Sequence, residues 1–176
     1  MSGLTNKLTG QIGEYLVCAK LGKLGLIATP FAGNVPTFDI LVADRYCRTL
    51  PIQVKTTTAA TWPSRADLWM NIKFDHEAKQ QLFLGARELP DPELIHVLVA
   101  LRDDGDRFFV LSKRNIQTAC IASYSAWMDP KDWKRPRKYR SLDCRYPIES
   151  VEKFEDNWGL ISKALQQLAP IVGDVP

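Results

Sequence analysis

The sequence of 176 residues contains no long apolar run and only two histidines. An α-helix needs about 20 consecutive apolar residues to cross a bilayer, so the sequence predicts no membrane-spanning segment. The first ten residues, MSGLTNKLTG, lack the long apolar stretch of a secretory signal. We therefore expect a cytoplasmic protein that does not act at a membrane.

Closely spaced metal-binding cysteines and histidines are also missing. The four cysteines (Cys18, Cys47, Cys120 and Cys144) form no Cys-x-x-Cys pair, and both histidines lie far from all of them in the sequence. Structural zinc sites usually combine pairs of ligands that are only a few residues apart. The pattern argues against such a site and favours reduced, mostly structural cysteines.

Length and composition are those of one ordinary globular domain. The chain is 45% hydrophobic and 24% charged, and it is long enough to bury a substantial core. No internal repeat, low-complexity tract or clear linker interrupts it, so residues 1–176 are predicted to form a single domain. Only residues 173–176 have the composition of a disordered end. The net charge of +3 identifies no partner by itself.

The hydrophobic pattern predicts a helix, then several strands, then further helices. Helical spacing of apolar residues predicts three helices, at 9–24, 112–127 and 154–168. Period-two or continuous apolar segments predict four strands, at 37–43, 50–56, 68–74 and 94–102. A polar turn is expected at 32–34, and the turn signal at 103–106 predicts that 107–111 returns as a hairpin partner. This order predicts an α/β fold with a mixed central β-sheet flanked by helices.

Two neighbouring predicted strands carry polar side chains among apolar ones. Side chains of a strand alternate between its faces, so Gln53 and Lys55 share one face while Ile52 and Val54 share the other. In the preceding strand, Asp39 is a carboxylate at the edge of an apolar segment. If the two strands pair, an acid, an amide and an ammonium group converge on one patch. Charges beside a core are costly unless they pair or bind a metal.

Helical geometry brings a second carboxylate toward this patch. At about 100° per residue, Glu14 falls on the apolar stripe of Val17, Cys18 and Leu21 and faces inward. An inward-facing carboxylate needs a partner, and the polar patch on the strands can provide one. The alternative is a slightly different helical register, in which Glu14 is an ordinary surface residue.

The oxygen atoms of this constellation suit a hard divalent cation. Mg²⁺ prefers oxygen ligands, and the candidate ligands are Glu14, Asp39, the amide oxygen of Gln53 and the backbone carbonyl of Val54. A bound cation polarises a phosphodiester and lowers the pKa of a bound water. Lys55 can orient that water or neutralise the negative charge that develops. The constellation is chemically sufficient for phosphodiester hydrolysis.

Gly-Glu in the first helix, Phe-Asp-Ile in one strand and Gln-Val-Lys in the next resemble the PD-(D/E)xK nuclease superfamily. The resemblance is greatest to the branch of archaeal Holliday-junction resolvases and Mrr-like restriction endonucleases. It implies a restriction-endonuclease-like core over about residues 9–57, with Glu14, Asp39, Gln53 and Lys55 as catalytic residues and Mg²⁺ or Mn²⁺ as cofactor. It also implies an endonuclease acting on DNA, including branched DNA. Because junction resolvases act as symmetric dimers, it is compatible with a homodimer.

The sequence departs from the pattern of the superfamily at one metal ligand. The second strand acid is replaced by Gln53, which removes one anionic ligand and is expected to weaken a Mg²⁺ site. The Gln-x-Lys sequence resembles that of some active members, so cleavage stays the first hypothesis. Two alternatives stay open. One is a nucleic-acid-binding module without catalysis on the same fold, and the other is a protein-interaction module whose polar patch only stabilises the fold.

A short segment in the last third of the chain is strongly basic. Residues 131–140 read KDWKRPRKYR, with six basic residues against one acid and with Trp133 and Tyr139 between them. We expect an exposed connection between two helices, whose cations contact DNA phosphates and whose rings stack on bases. A solvated loop is the alternative. The predicted nucleic-acid-binding residues are Lys131, Lys134, Arg135, Arg137, Lys138 and Arg140.

Two further features allow both a functional and a structural interpretation. The polar segment after the Gln-Val-Lys strand, with Trp62, Ser64 and Arg65, can line a substrate groove or form an ordinary loop. His96 lies inside an apolar strand and is therefore predicted to be a core residue with satisfied hydrogen bonds rather than a metal ligand.

Overall fold

The computed structural model describes residues 5–31 and 37–171 of the chain. The turn predicted at 32–34 and the disordered end predicted at 173–176 lie outside the described residues. None of the described helices is long and apolar enough to cross a membrane. In chain order, the helices and strands are α1 (Asn6–Lys23), β1 (Ile27–Pro30), β2 (Ile40–Ala43), β3 (Thr49–Thr57), β4 (Thr61–Arg65), β5 (Met70–Asp75), β6 (Gln80–Ala86), β7 (Ile95–Ala100), β8 (Arg107–Ser112), α2 (Lys113–Met128), β9 (Asp143–Pro147) and α3 (Gly159–Gln166).

These elements belong to two compact units, each built from separate parts of the chain. The first unit combines the chain up to Ala59 with Leu94–Ser112 and with the segment that begins at Phe154. The second unit combines Ala60–Glu93 with Lys113–Lys153. The prediction that residues 1–176 form one domain stays a prediction.

The first unit contains a five-stranded mixed sheet with the strand order β1-β2-β3-β7-β8. Strands β3 and β7 are parallel, and the other neighbours in the sheet are antiparallel. The hairpin predicted around residues 103–106 is confirmed, because β7 pairs with β8 on either side of that turn. Helices α1 and α3 belong to the same unit. The predicted fold class, α/β with a mixed central β-sheet flanked by helices, is confirmed.

The apolar core of the first unit joins both helices to one face of the sheet. Every residue of β7 is buried, as predicted for a central strand. Val17 and Leu21 of α1 and Ile161 and Leu165 of α3 are buried in one cluster with apolar side chains of the strands. The cluster fixes the sheet against α1, and α1 supplies one residue of the predicted site.

Helix α1 begins three residues before the predicted start at residue 9, because Thr5 caps it. The Thr5 side-chain oxygen accepts a hydrogen bond from the backbone N–H of Leu8 at 3.3 Å. This bond satisfies one of the amide groups that lack an intrahelical partner in a first helical turn. Gly13, Val17 and Leu21 recur every four residues and are buried, so they mark the face of α1 that packs on the sheet.

The second unit contains two small antiparallel sheets, β4 with β9 and β5 with β6, together with α2. Sequence analysis missed β4, β6 and β9. Pro63 in β4 is a poor strand residue, Gly85 interrupts β6, and β9 is only five residues long with no apolar run. Only the pairing with a partner strand in the structure identifies these segments as strands, because none of them has a regular hydrophobic periodicity.

Three further predictions differ from the structure. The strand predicted at 68–74 begins at Met70, because Ala66–Leu68 form a turn of 3₁₀-helix. The helix predicted at 154–168 is shorter, since α3 follows a 3₁₀-helix over Ile148–Phe154. The basic segment 131–140 does not connect two helices, because it leads from the end of α2 and a short 3₁₀-helix into β9.

Candidate active site

Asp39 lies directly before β2, at the point where the pairing of β2 with β3 ends. The last paired residues are Ile40 and Ile52, and the Asp39 N–H donates to the Ile52 carbonyl oxygen at 2.9 Å. The carboxylate continues the contact, because Asp39 Oδ2 accepts a hydrogen bond from the Val54 N–H at 2.7 Å. Gln53 Nε2 donates to the same oxygen. The Asp39 carboxylate therefore accepts the Val54 N–H, for which a regular strand would provide a backbone carbonyl. This contact holds the carboxylate at the edge of β3.

Strand β3 presents its polar side chains as the alternation predicts. Ile52 and Val54 are buried in the core cluster, whereas Gln53 is partly buried and Lys55 is exposed. The N–H and carbonyl of one strand residue point to the same side of that strand. The Val54 carbonyl therefore lies on the side of β3 that faces Asp39.

Glu14 follows Gly13, at which α1 approaches β3 closely on the face of Ile52, Val54 and Thr56. A Cβ atom at position 13 would lie only 1.9 Å from the side-chain oxygen of Thr56, so only glycine allows this distance. Partial burial and then the Asp39 carboxylate raise the pKa of Glu14, while the Lys55 ammonium group acts in the opposite direction. The charges of Asp39 and Lys55 therefore both act on Glu14.

Asp39 contacts Gln53 directly, and the charges of Asp39 and Lys55 act on Glu14. Carboxylate, amide and carbonyl oxygens are the donors that a hard cation prefers. The Asp39 carboxylate disfavours the charged form of Glu14, and the Val54 carbonyl is a further oxygen donor on the side of β3 that faces Asp39. Gln53 presents its Nε2 to Asp39, so its amide oxygen becomes a ligand only when the amide turns over. Within residues 5–31 and 37–171, no group of three or more His, Cys, Asp or Glu side chains is arranged to hold a metal. A cation would thus depend on the Gln53 and Val54 oxygens to complement two acids. The chemical role of each residue stays a prediction.

Two features of the site were missed by sequence analysis. The hydroxyl oxygen of Thr56 is buried and has no hydrogen-bond partner among residues 5–31 and 37–171. It lies against Gly13, a contact that depends on how α1 and β3 pack. His96 is paired with Gln53 in the parallel register of β7 and β3, so the two side chains share a face. His96 is buried, as predicted, and its Nδ1 lies 3.1 Å from the Leu94 carbonyl oxygen. Only the register between β3 and β7 places His96 beside Gln53.

The basic segment lies in the second unit, and its six cations differ in their environments. Arg135 is partly buried, and its Nη1 donates to three oxygen atoms of the protein. Lys131 lies over the Trp127 ring, with Nζ 4.4 Å from the ring centroid. The other four, which are more exposed, are Lys134, Arg137, Lys138 and Arg140.

The aromatic residues proposed to stack on bases mostly contact other rings. Trp133 stacks on Phe83 with a centroid distance of 5.4 Å, and Tyr139 packs edge-on against Phe74 at 6.4 Å. Trp62 is only 1% exposed. The interpretation of Trp62 as a residue of a substrate groove is therefore wrong, since its side chain belongs to the core of the second unit.

No protein-family model matches the chain, and no curated protein sequence is similar to it. Among solved structures, the chain is similar to a bacterial homing endonuclease, I-Ssp6803I, with a TM-score of 0.46 and 13% sequence identity. The superposition covers 92% of this chain and 94% of that chain. A likeness at this level assigns neither a family nor an activity to the chain.

Proposed function

We propose that this protein is a metal-dependent nuclease that hydrolyses DNA phosphodiester bonds. The observation that supports the proposal is the Asp39 carboxylate, which is held where β2 and β3 separate. Asp39 accepts hydrogen bonds from Gln53 and from the Val54 N–H, and the charges of Asp39 and Lys55 act on Glu14. Acids, an amide and an ammonium group at one strand edge are the groups that phosphodiester hydrolysis needs.

The carboxylates of Glu14 and Asp39, with the oxygens of Gln53 and Val54, would hold Mg²⁺ or Mn²⁺. When bound, such a cation supplies Lewis-acid polarisation of the phosphodiester and a water molecule of lowered pKa. Asp39 is already fixed by the Val54 N–H, so its carboxylate needs little reorganisation. Gln53 now donates its Nε2 to Asp39, and turning its amide over would present the oxygen instead.

Lys55 has a different task from the acids. Its side chain is exposed on the same face of β3 as Gln53, and its positive charge acts on Glu14. A phosphodiester that approaches this edge meets the ammonium group, which binds a phosphate oxygen and stabilises the negative charge that develops during hydrolysis. Lys55 therefore contributes charge to the transition state without being a metal ligand.

Cleavage of labelled DNA by the wild-type protein and by a Lys55→Ala variant tests this proposal. We expect cleavage that requires Mg²⁺ or Mn²⁺ and that Lys55→Ala slows by about a hundredfold. Linear duplex, single-stranded and four-way-junction DNA are compared, because the preferred shape of the substrate is part of the result. The matched control is Lys163→Ala, which removes an exposed lysine from α3 in the same unit. Cleavage that persists in EDTA, or that both variants retain equally, would refute the proposal.

A nucleic-acid-binding module without catalysis is the second candidate, and the Gln53–Asp39 hydrogen bond favours it. The Gln53 amide satisfies the Asp39 carboxylate without any cation. On this alternative, DNA binding falls steeply as salt rises but is unchanged by Lys55→Ala. Salt-sensitive binding without cleavage by the wild-type protein would therefore decide for the second candidate.

Replacing Gln53 by glutamate is expected to make the stability of the protein depend on metal. Without metal, Gln53→Glu loses the hydrogen bond to Asp39 and adds a like charge, which should cost about 1–3 kcal/mol. With Mg²⁺, the additional anionic ligand should tighten metal binding by about tenfold and raise the Tm above its metal-free value. Thermal unfolding with EDTA and with Mg²⁺ measures both effects. If the Tm of the variant is the same with Mg²⁺ and with EDTA, these residues do not form a metal site.

A further inference from the structure

A cavity of about 450 Å³ lies within the second unit, next to the C-terminal half of α2 and the paired strands β4 and β9. Its volume falls within the range of about 300–1,000 Å³ that is typical of small-molecule sites. None of its lining residues belongs to the candidate active site, so the proposed nuclease chemistry does not account for it. Two arginines and one aspartate line it, which gives the wall a net positive charge.

Arg135 is the most highly organised group in this wall. Its Nη1 donates to the Tyr124 hydroxyl oxygen at 3.1 Å and to the carbonyl oxygens of Ser141 and Asp143 at 2.9 and 3.0 Å. These contacts fix the guanidinium group, which also lies 4.8 Å from the centroid of the Trp127 ring. Among the residues that the structure describes, Nε and Nη2 of Arg135 have no hydrogen-bond acceptor. A guanidinium group that is held in place and keeps N–H donors available can bind a phosphate.

The other lining groups complement a phosphate that carries an aromatic ring. Trp127 stays 40% exposed although the cations of Lys131 and Arg135 lie over its ring. It lies one helical turn after Ser123, so both side chains occupy the same face of α2. The Ser64 side-chain oxygen accepts a hydrogen bond from the Trp69 indole N–H at 2.7 Å, which leaves the Ser64 hydroxyl proton available as a donor. The cavity thus combines one fixed cation, the hydroxyl groups of Ser64 and Ser123 and the exposed part of an aromatic ring.

We propose that this cavity binds a nucleoside monophosphate unit, with the phosphate on Arg135 and the base against the exposed part of Trp127. Stacking of a base on an aromatic side chain is worth about 1–3 kcal/mol, and it does not depend on which base is present. The unit can come from a free nucleotide or from the phosphorylated end of a DNA strand. The chemistry of recognition is the same in both cases. The proposal does not depend on cleavage at the site around Asp39.

Calorimetric titration in EDTA tests the cavity without interference from cleavage. The probes are deoxyadenosine monophosphate, deoxyadenosine and inorganic phosphate. We expect the nucleotide to bind at least about tenfold more tightly than either part alone, because only the nucleotide engages both Arg135 and Trp127. No binding of the nucleotide at millimolar concentration, or binding no tighter than that of phosphate, would overturn the proposal.

Two variants and one control assign the binding to this cavity. Trp127→Leu is the principal variant, because the exposed ring can be replaced without removing a buried hydrogen bond. It should weaken nucleotide binding about tenfold, and Ser123→Ala should weaken it less. Lys134→Ala removes an exposed cation of the basic segment that does not line the cavity, and it should leave binding unchanged. Equal losses in Trp127→Leu and Lys134→Ala would indicate nonspecific charge attraction and refute the assignment.

A comparison of oligonucleotides identifies the source of the nucleotide. If a 5′-phosphorylated oligonucleotide binds more tightly than both its unphosphorylated form and the free nucleotide, the cavity recognises the end of a DNA strand. Equal affinity for the free nucleotide and the phosphorylated oligonucleotide supports a free nucleotide as ligand. Tighter binding of a phosphotyrosine peptide than of any nucleotide would contradict the proposal. An Asp39→Ala protein should bind the nucleotide as the wild type does, which separates this test from that of the nuclease.

Discussion

Replacing Asp39 by alanine is expected to reduce DNA cleavage by about a thousandfold or more. The same change should destabilise the fold by about 1–3 kcal/mol, because it leaves the Val54 N–H and the Gln53 amide without their acceptor. The two effects have one cause, since a single carboxylate both continues the β2–β3 contact and supplies a negative charge to the candidate site. Cleavage rates and chemical denaturation, measured on the same preparation, report them together.

The isosteric variant Asp39→Asn separates these two roles of the carboxylate. Asparagine keeps an oxygen atom for the Val54 N–H, so most of the stability should be retained. It removes the negative charge, so cleavage should be lost as completely as in Asp39→Ala. If Asp39→Asn cleaves DNA at the wild-type rate, Asp39 is only a structural residue and the proposed nuclease site is wrong.

Replacing Gly13 by alanine is expected to destabilise the protein by about 1–3 kcal/mol, although alanine is the better helix former. The new Cβ would lie 1.9 Å from the Thr56 side-chain oxygen and 3.0 Å from its Cβ and Cγ2 atoms. Helix α1 must then move away from β3, which carries Glu14 away from Asp39. Cleavage should therefore fall together with the free energy of unfolding.

Two companion variants test the cause of this effect. Gly10→Ala lies in the same helix, but its Cβ would meet nothing within 4 Å, so it should stabilise α1 by up to about 1 kcal/mol. Thr56→Ala removes the atom in closest contact, so the double variant Gly13→Ala/Thr56→Ala should recover most of the lost stability. Additive effects of the two single substitutions in chemical denaturation would contradict a direct contact between these residues.

The faces of β3 and α1 could be predicted from sequence because periodicity determines them. Alternation in β3 separated Gln53 and Lys55 from Ile52 and Val54, and helical spacing directed Glu14 toward the sheet. The contact of Gly13 with Thr56 could not be predicted in this way, because it depends on how closely two elements pack. The roles of the predicted residues stay predictions, and the packing of α1 on β3 determines how near Glu14 lies to the acid on the strand.

The second unit was harder to predict, because polar residues form its interior. Gln81 of β6 is fully buried, and its side chain bonds to the Tyr139 and Ser141 carbonyl oxygens and to the Tyr124 hydroxyl. Because Gln81 follows another glutamine, Gln80, its sequence context is typical of a surface position. Strand β4 pairs with β9 across some eighty residues of chain, and neither has the regular alternation that identifies a strand on its own. Arg135 was likewise predicted as a surface cation, although it holds this unit together through three oxygen atoms.

The division of the chain into two interleaved units has a consequence for its synthesis on the ribosome. Both parts of the second unit are inserted between elements of the first, and the last helix of the first unit is α3. Ile161 and Leu165 of α3 complete the apolar cluster that covers one face of the sheet. A nascent chain therefore cannot close this core until α3 has left the exit tunnel, and until then the apolar cluster lacks these two side chains. Such late closure through distant contacts slows folding and leaves the growing chain dependent on protection from aggregation.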